Sequence, residues 1–103
     1  MTETPPPATA LFVAIGYAFN DLDEADAVAL VESAHPHLSE TEIRRANRAS
    51  AEALLALVRL MESGDSVQLG VVMTGLSPVI EWVQRKRETG NDGKRIDRVS
   101  GNA

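Results

Sequence analysis

The chain contains no cysteine, which excludes disulfide bonds, thiolate metal sites and cysteine nucleophiles. It also lacks the phosphate loop and the Gly-x-Gly-x-x-Gly, His-Glu-x-x-His and Gly-x-Ser-x-Gly signatures. The longest predominantly apolar run, residues 8–19, is shorter than the roughly 20 residues of a membrane-spanning helix. The residues ahead of that run include no base, although a secretory leader begins with basic residues. We therefore expect a soluble, cytoplasmic protein that is not an enzyme, binds no cofactor and does not act at a membrane.

Charge is distributed unevenly along the chain. Residues 1–84 contain twelve acids and four bases, whereas residues 85–103 contain six bases and three acids. The body is therefore acidic and the C-terminal segment basic, within a net charge of −5. An acidic body repels a phosphate backbone, so nucleic acid is a less favoured partner than protein.

Length and composition predict one small domain. The 103 residues allow a single modest core, and 44% apolar with 24% charged residues is ordinary for a globular protein. The prolines in residues 1–7 predict an extended N-terminus, because proline fixes φ and restricts the preceding residue. Residues 8–89 are predicted to form one helical domain. Residues 90–103 offer little to bury, and we predict a dispensable, disordered basic tail.

Local signals predict an all-α bundle of four to five short helices. In residues 8–19 the apolar side chains surround a would-be helix, so the segment is a buried helix or a buried strand, and its alanines favour helix. Asp21 or Asp23 can cap a second helix, which ends at His35-Pro36. The third helix has the clearest start, a capping box formed by Ser39 and Glu42.

Further along the third helix, one face is apolar and includes Leu57, Val58 and Met61, and Gly64 serves as its C-terminal cap. A fourth apolar pattern continues to residue 87 and is interrupted by Pro78. Proline cannot donate to the carbonyl of Thr74, so we predict a break or sharp kink at residues 74–77.

Two features indicate binding to another protein or to a second copy of the chain. Leu55 lies in the middle of the polar face of the third helix, beside Arg59. Trp82 lies near Arg85 and Lys86, and tryptophan with arginine is typical of interface hot spots. A single tryptophan can equally cover the core. The sequence therefore favours a non-catalytic interaction module, a small helical adaptor, inhibitor or regulator, with these five residues as candidate contacts.

The alternative is a small DNA-binding regulator. It would use Arg44, Arg45 and Arg48 at the start of the third helix, together with the basic C-terminal segment. The connection before this helix is longer than the usual helix-turn-helix turn, and glutamates alternate with the arginines. We interpret Arg48 and Glu52 as an i, i+4 ion pair on a solvated face.

A third hypothesis concerns His35 and His37, the only histidines. Two histidines could contribute to a zinc site, but such a site needs three or four ligands. No nucleophile accompanies them in the sequence. We predict no metal site here.

Overall fold

Over the residues that it describes, a computed structural model shows four helices, α1 (Ala8–Ala18), α2 (Glu24–Ala34), α3 (Glu40–Ser63) and α4 (Ser66–Asn102). It describes the backbone of residues 4–102 and the side chains of residues 4–88. The all-α prediction is confirmed, although α3 and α4, with 24 and 37 residues, are not short. The backbone of residues 90–102 continues α4, and their side chains lie outside the described residues, so the predicted disorder and dispensability of the tail stay predictions.

The first two helices form where the sequence favoured them. The buried residues of α1 include Leu11 and Ile15, so the apolar run is a helix and not a strand. Helix α2 is capped by Asp23, whose carboxylate accepts a hydrogen bond of 2.8 Å from the backbone N–H of Asp26. Of the two predicted caps, Asp23 is therefore the one used.

The capping box of α3 is confirmed. Ser39 Oγ accepts from the N–H of Glu42 at 3.2 Å, and the Glu42 carboxylate accepts from the N–H of Ser39 at 3.1 Å. Gly64 ends the helix in the left-handed conformation, with φ of 77°. Both ends of α3 are thus determined by local sequence.

Helix α4 contains Pro78 in its interior and continues through it. Of the two alternatives predicted at residues 74–77, the break does not occur, since one helix spans them, and the kink stays a prediction. Pro78 has no N–H, so the Thr74 carbonyl lacks its usual donor within the helix. Thr74 Oγ1 donates to the carbonyl of Gly70 at 2.8 Å one turn earlier.

The core surrounds α1, which packs against all three other helices. The larger buried cluster joins residues from every helix, among them Leu11, Val31, Ile43 and Val83. A smaller cluster joins α1, α3 and α4 through Ala14, Leu57 and Leu76. Helix α1 therefore defines which faces of α3 and α4 are buried.

Candidate protein-interaction surface

The C-terminal half of α3 and the start of α4 extend past the core. With a rise of about 1.5 Å per residue, α1 is about 16 Å long and α3 about 36 Å. Helix α1 therefore cannot cover the whole of α3. Leu57 is the last buried residue of α3, and none of residues 58–71 is buried.

Large apolar side chains are exposed in this part of the chain, and we call them the hairpin surface. They are Leu55 (51% exposed), Val58 (48%), Met61 (48%), Val67 (78%) and Val71 (62%). Leu57 and Leu76 face α1, and Leu55 and Val67 lie about half a turn around their helices from them. Leu55 and Val67 thus lie on the side away from α1, whereas Val58 and Met61 lie closer to the face that carries Leu57.

The prediction for Leu55 and the prediction for Val58 and Met61 have different outcomes. Leu55 is exposed, as its position in the polar face of α3 predicted. Val58 and Met61 were predicted on the core face and are instead half exposed. The helical pattern was correct, but α1 is too short to bury this end of α3. The sequence contained one signal for the exposure of Val58 and Met61, because the predicted first helix is much shorter than the third.

Four charged residues lie around Leu55, namely Arg48, Glu52, Arg59 and Glu62. At about 100° per residue, these five side chains fall within an arc of about 80° on α3. All are exposed. Within the described part of the chain, none of the four forms an ion pair or a side-chain hydrogen bond. The Arg48–Glu52 ion pair inferred from the sequence is therefore not formed.

Trp82 is a core residue, only 5% exposed. Its indole Nε1 is buried and has no hydrogen-bond partner among the described residues. Lys86 covers the ring, with Nζ 5.4 Å from the ring centroid. Of the two interpretations of Trp82, burial supports the one in which it covers the core. Arg85 and Lys86 are exposed, but they lie far along α4 from the hairpin surface.

The three arginines of the nucleic-acid alternative are exposed at the start of α3. Arg44 forms an ion pair with Glu40, one turn before it. The pKa of Glu42 is held below its ordinary value, mainly by its hydrogen bonds with Ser39 and to a lesser degree by the charge of Arg45. Carboxylates therefore stand beside two of the three arginines, where a phosphate backbone would have to lie.

His35 and His37 are neighbours in the turn between α2 and α3, with ring centroids 5.8 Å apart. His35 Nε2 lies 2.6 Å from the carbonyl oxygen of Pro6 and donates to it, which attaches the proline segment to this turn. The histidines border a groove of about 540 Å³ together with Glu42 and Arg45. Among the residues with described side chains, no group of three or more His, Asp or Glu could hold a metal ion.

One part of α4 has the length and composition of a membrane span. Residues Ser66–Glu88 have a mean hydropathy of 1.2 in an 18-residue window, and 17% of that window is buried. This span lies in α4 and not in residues 8–19, the apolar run that the sequence pattern indicates. A lipid surface is therefore an alternative to a protein partner at the hairpin surface, and an experiment must distinguish the two.

Comparisons with family models, with curated proteins and with solved structures found no match to this chain.

Proposed function

We propose that the chain is a non-catalytic protein-interaction module that acts through the hairpin surface. The observation that carries the proposal is the cluster of exposed large apolar residues on α3 and α4. Monomeric proteins rarely leave contiguous apolar patches open to water, and patches bordered by polar residues mark interaction sites. Burying one such side chain fully contributes about 1.5–3 kcal/mol.

The position of the surface also supports binding. Leu55 and Val58 lie on a continuous, capped helix that is packed against α1 through Leu57, so these two side chains are already on a formed helix before a partner arrives. A rigid helix face reduces the ordering cost of association. Arg59 borders the same surface and adds a planar donor group at its edge.

The experiment compares capture by immobilised wild-type protein, Leu55→Asp and Val58→Asp, using extract of the source cells. Ala29→Asp, an exposed change on α2, is the matched control. A photo-crosslinking residue placed at position 58 identifies which captured protein touches the surface. We expect loss of the crosslinked protein with both surface variants and retention with the control, since truncating an interface anchor costs about 2 kcal/mol or more.

Two outcomes would contradict the proposal. An identical captured set for the wild type and both surface variants would show that the hairpin surface is not used. Tight duplex DNA binding that weakens steeply with salt and depends on Arg44, Arg45 and Arg48 would favour the DNA-binding alternative.

A further inference from the structure

The charged stripe around Leu55 has an antisymmetric order. From the N-terminal end of α3 it contains a base, an acid, Leu55, a base and an acid, at positions 48, 52, 55, 59 and 62. Read from the other end of the helix, every sign is reversed. Two copies of α3 side by side in opposite directions therefore place unlike charges together. Two copies in the same direction would place like charges together.

We propose that a second copy of the chain occupies this surface, with the two α3 helices antiparallel about a two-fold axis. The inference rests on the proposed function and names its partner. An axis that crosses α3 at Leu55 brings the Leu55 side chains of the two copies together. It also brings Arg48 opposite Glu62, and Glu52 within one residue of the position opposite Arg59. Each of these charge pairs occurs twice, as a two-fold interface requires.

The spacing along α3 fits close helix packing. Arg48, Ala51, Leu55, Val58 and Glu62 follow the alternating three- and four-residue intervals of a two-helix seam. All five are exposed in the single chain. Ala51 is small, which allows the second helix to approach, and the apolar centre lies between charged ends. Charges at the border of such a seam determine direction and register more than affinity.

The same charges argue against a lipid surface as the occupant. Helices that lie on membranes carry mainly lysine and arginine on their polar face. Here Glu52 and Glu62 alternate with Arg48 and Arg59, and the body of the chain is acidic. Anionic lipid would be repelled by the acids, whereas a second copy neutralises all four residues at once.

The test uses two charge variants of the full chain and measures mass in solution by sedimentation equilibrium. Glu52→Arg with Glu62→Arg makes all four positions basic, and Arg48→Glu with Arg59→Glu makes all four acidic. We expect the wild type to be a dimer and each variant alone to self-associate at least about tenfold more weakly, because every cross-pair becomes repulsive. An equal mixture of the two variants should recover the mass of a dimer.

The control is Glu32→Arg, an exposed charge reversal on α2, which should dimerise as the wild type does. All the changed residues are exposed, so we expect each variant to fold, and far-ultraviolet circular dichroism checks this. Recovery of the dimer in the mixture distinguishes complementary pairing from simple damage to one variant.

Several results would overturn the dimer. They are a monomeric wild type, undiminished self-association of the charge variants, and failure of the mixture to associate. A monomeric wild type that binds vesicles of phosphatidylserine and phosphatidylcholine would assign the surface to lipid instead. A monomeric wild type that loses a crosslinked protein on Leu55→Asp would reject the dimer and leave the proposed function standing.

Discussion

Asp21 and Arg87, 66 positions apart, form a two-pronged ion pair between the α1–α2 connection and α4. Arg87 Nη1 donates to Asp21 Oδ1 at 3.3 Å, and Nη2 donates to Oδ2. The guanidinium also lies over Phe19, 5.2 Å from the ring centroid. Helix α4 continues past this point, so Arg87 does not lie at a helix C-terminus. It joins the end of α1 to α4.

The ion pair predicts a pH-dependent contribution to stability. The hydrogen bond from Arg87 is the main cause that holds the pKa of Asp21 below its ordinary value. A carboxyl whose pKa is lower in the folded state stabilises the fold above its unfolded pKa, and the contribution disappears as pH falls through the folded pKa. Asp21→Asn should therefore lower the Tm near neutral pH and have no effect in strong acid.

Thermal unfolding over a series of pH values measures this difference, with Glu32→Gln on α2 as the control. Because Asp21 is well exposed, salt should reduce the difference at neutral pH. A Tm difference between the wild type and Asp21→Asn that persists in strong acid would assign the effect to packing or local conformation and not to charge.

Gly64 and Gly75 predict opposite responses to the same substitution. A Cβ at either position would meet nothing within 4 Å, so only the backbone distinguishes them. Gly64 has φ of 77°, where alanine is strained, whereas Gly75 lies inside α4. Gly64→Ala should destabilise by about 1 kcal/mol and Gly75→Ala should stabilise by about 0.5–1 kcal/mol, as measured by urea unfolding. If both substitutions change the free energy of unfolding in the same direction, the left-handed cap assigned to Gly64 at the end of α3 would be wrong.

Local signals predicted much of the fold because their physical causes are local. The Ser39–Glu42 capping box and the Gly64 cap depend on residues within a few positions, and both formed as expected. The Asp21–Arg87 pair depends on the path of the whole chain, and no spacing rule indicates it.

The candidate surface was predictable only in part, for a related reason. Leu55 breaks the polar pattern of its own helix, so the sequence identified it. Val58 and Met61 follow the core pattern, and their exposure depends on where α1 ends. Trp82 shows the reverse case, since its burial depends on how α1 packs against α4.

The start of α3 should be sensitive to small changes. Ser39→Ala removes the hydroxyl that accepts from the Glu42 N–H and should cost about 1 kcal/mol. Ile43 is 3% exposed in the larger cluster, and Ile43→Ala should cost about 2–5 kcal/mol because it leaves a cavity. Chemical denaturation followed by circular dichroism measures both. If both variants unfold at the same denaturant concentration as the wild type, this helix start does not contribute to stability.

Trp82 should respond very differently to alanine and to phenylalanine. Trp82→Ala empties a buried site and should cost about 3–5 kcal/mol. Trp82→Phe also loses volume, but it removes the buried N–H that has no acceptor among the described residues, and an unsatisfied group of this kind costs about 1–3 kcal/mol. The two effects oppose each other, so the net cost of Trp82→Phe should be below about 2 kcal/mol.

The companion change Lys86→Met removes the charge over the indole while keeping an aliphatic chain. It should cost about 0.5–1 kcal/mol in the wild type and less in the Trp82→Phe background, since tryptophan is the better cation–π partner. Urea unfolding of the four proteins, followed by far-ultraviolet circular dichroism because the fluorophore is lost, gives the double-mutant cycle. A cost for Trp82→Phe as large as that for Trp82→Ala would mean that the indole N–H is stabilised in the folded protein, and the unpaired donor would then be the wrong explanation.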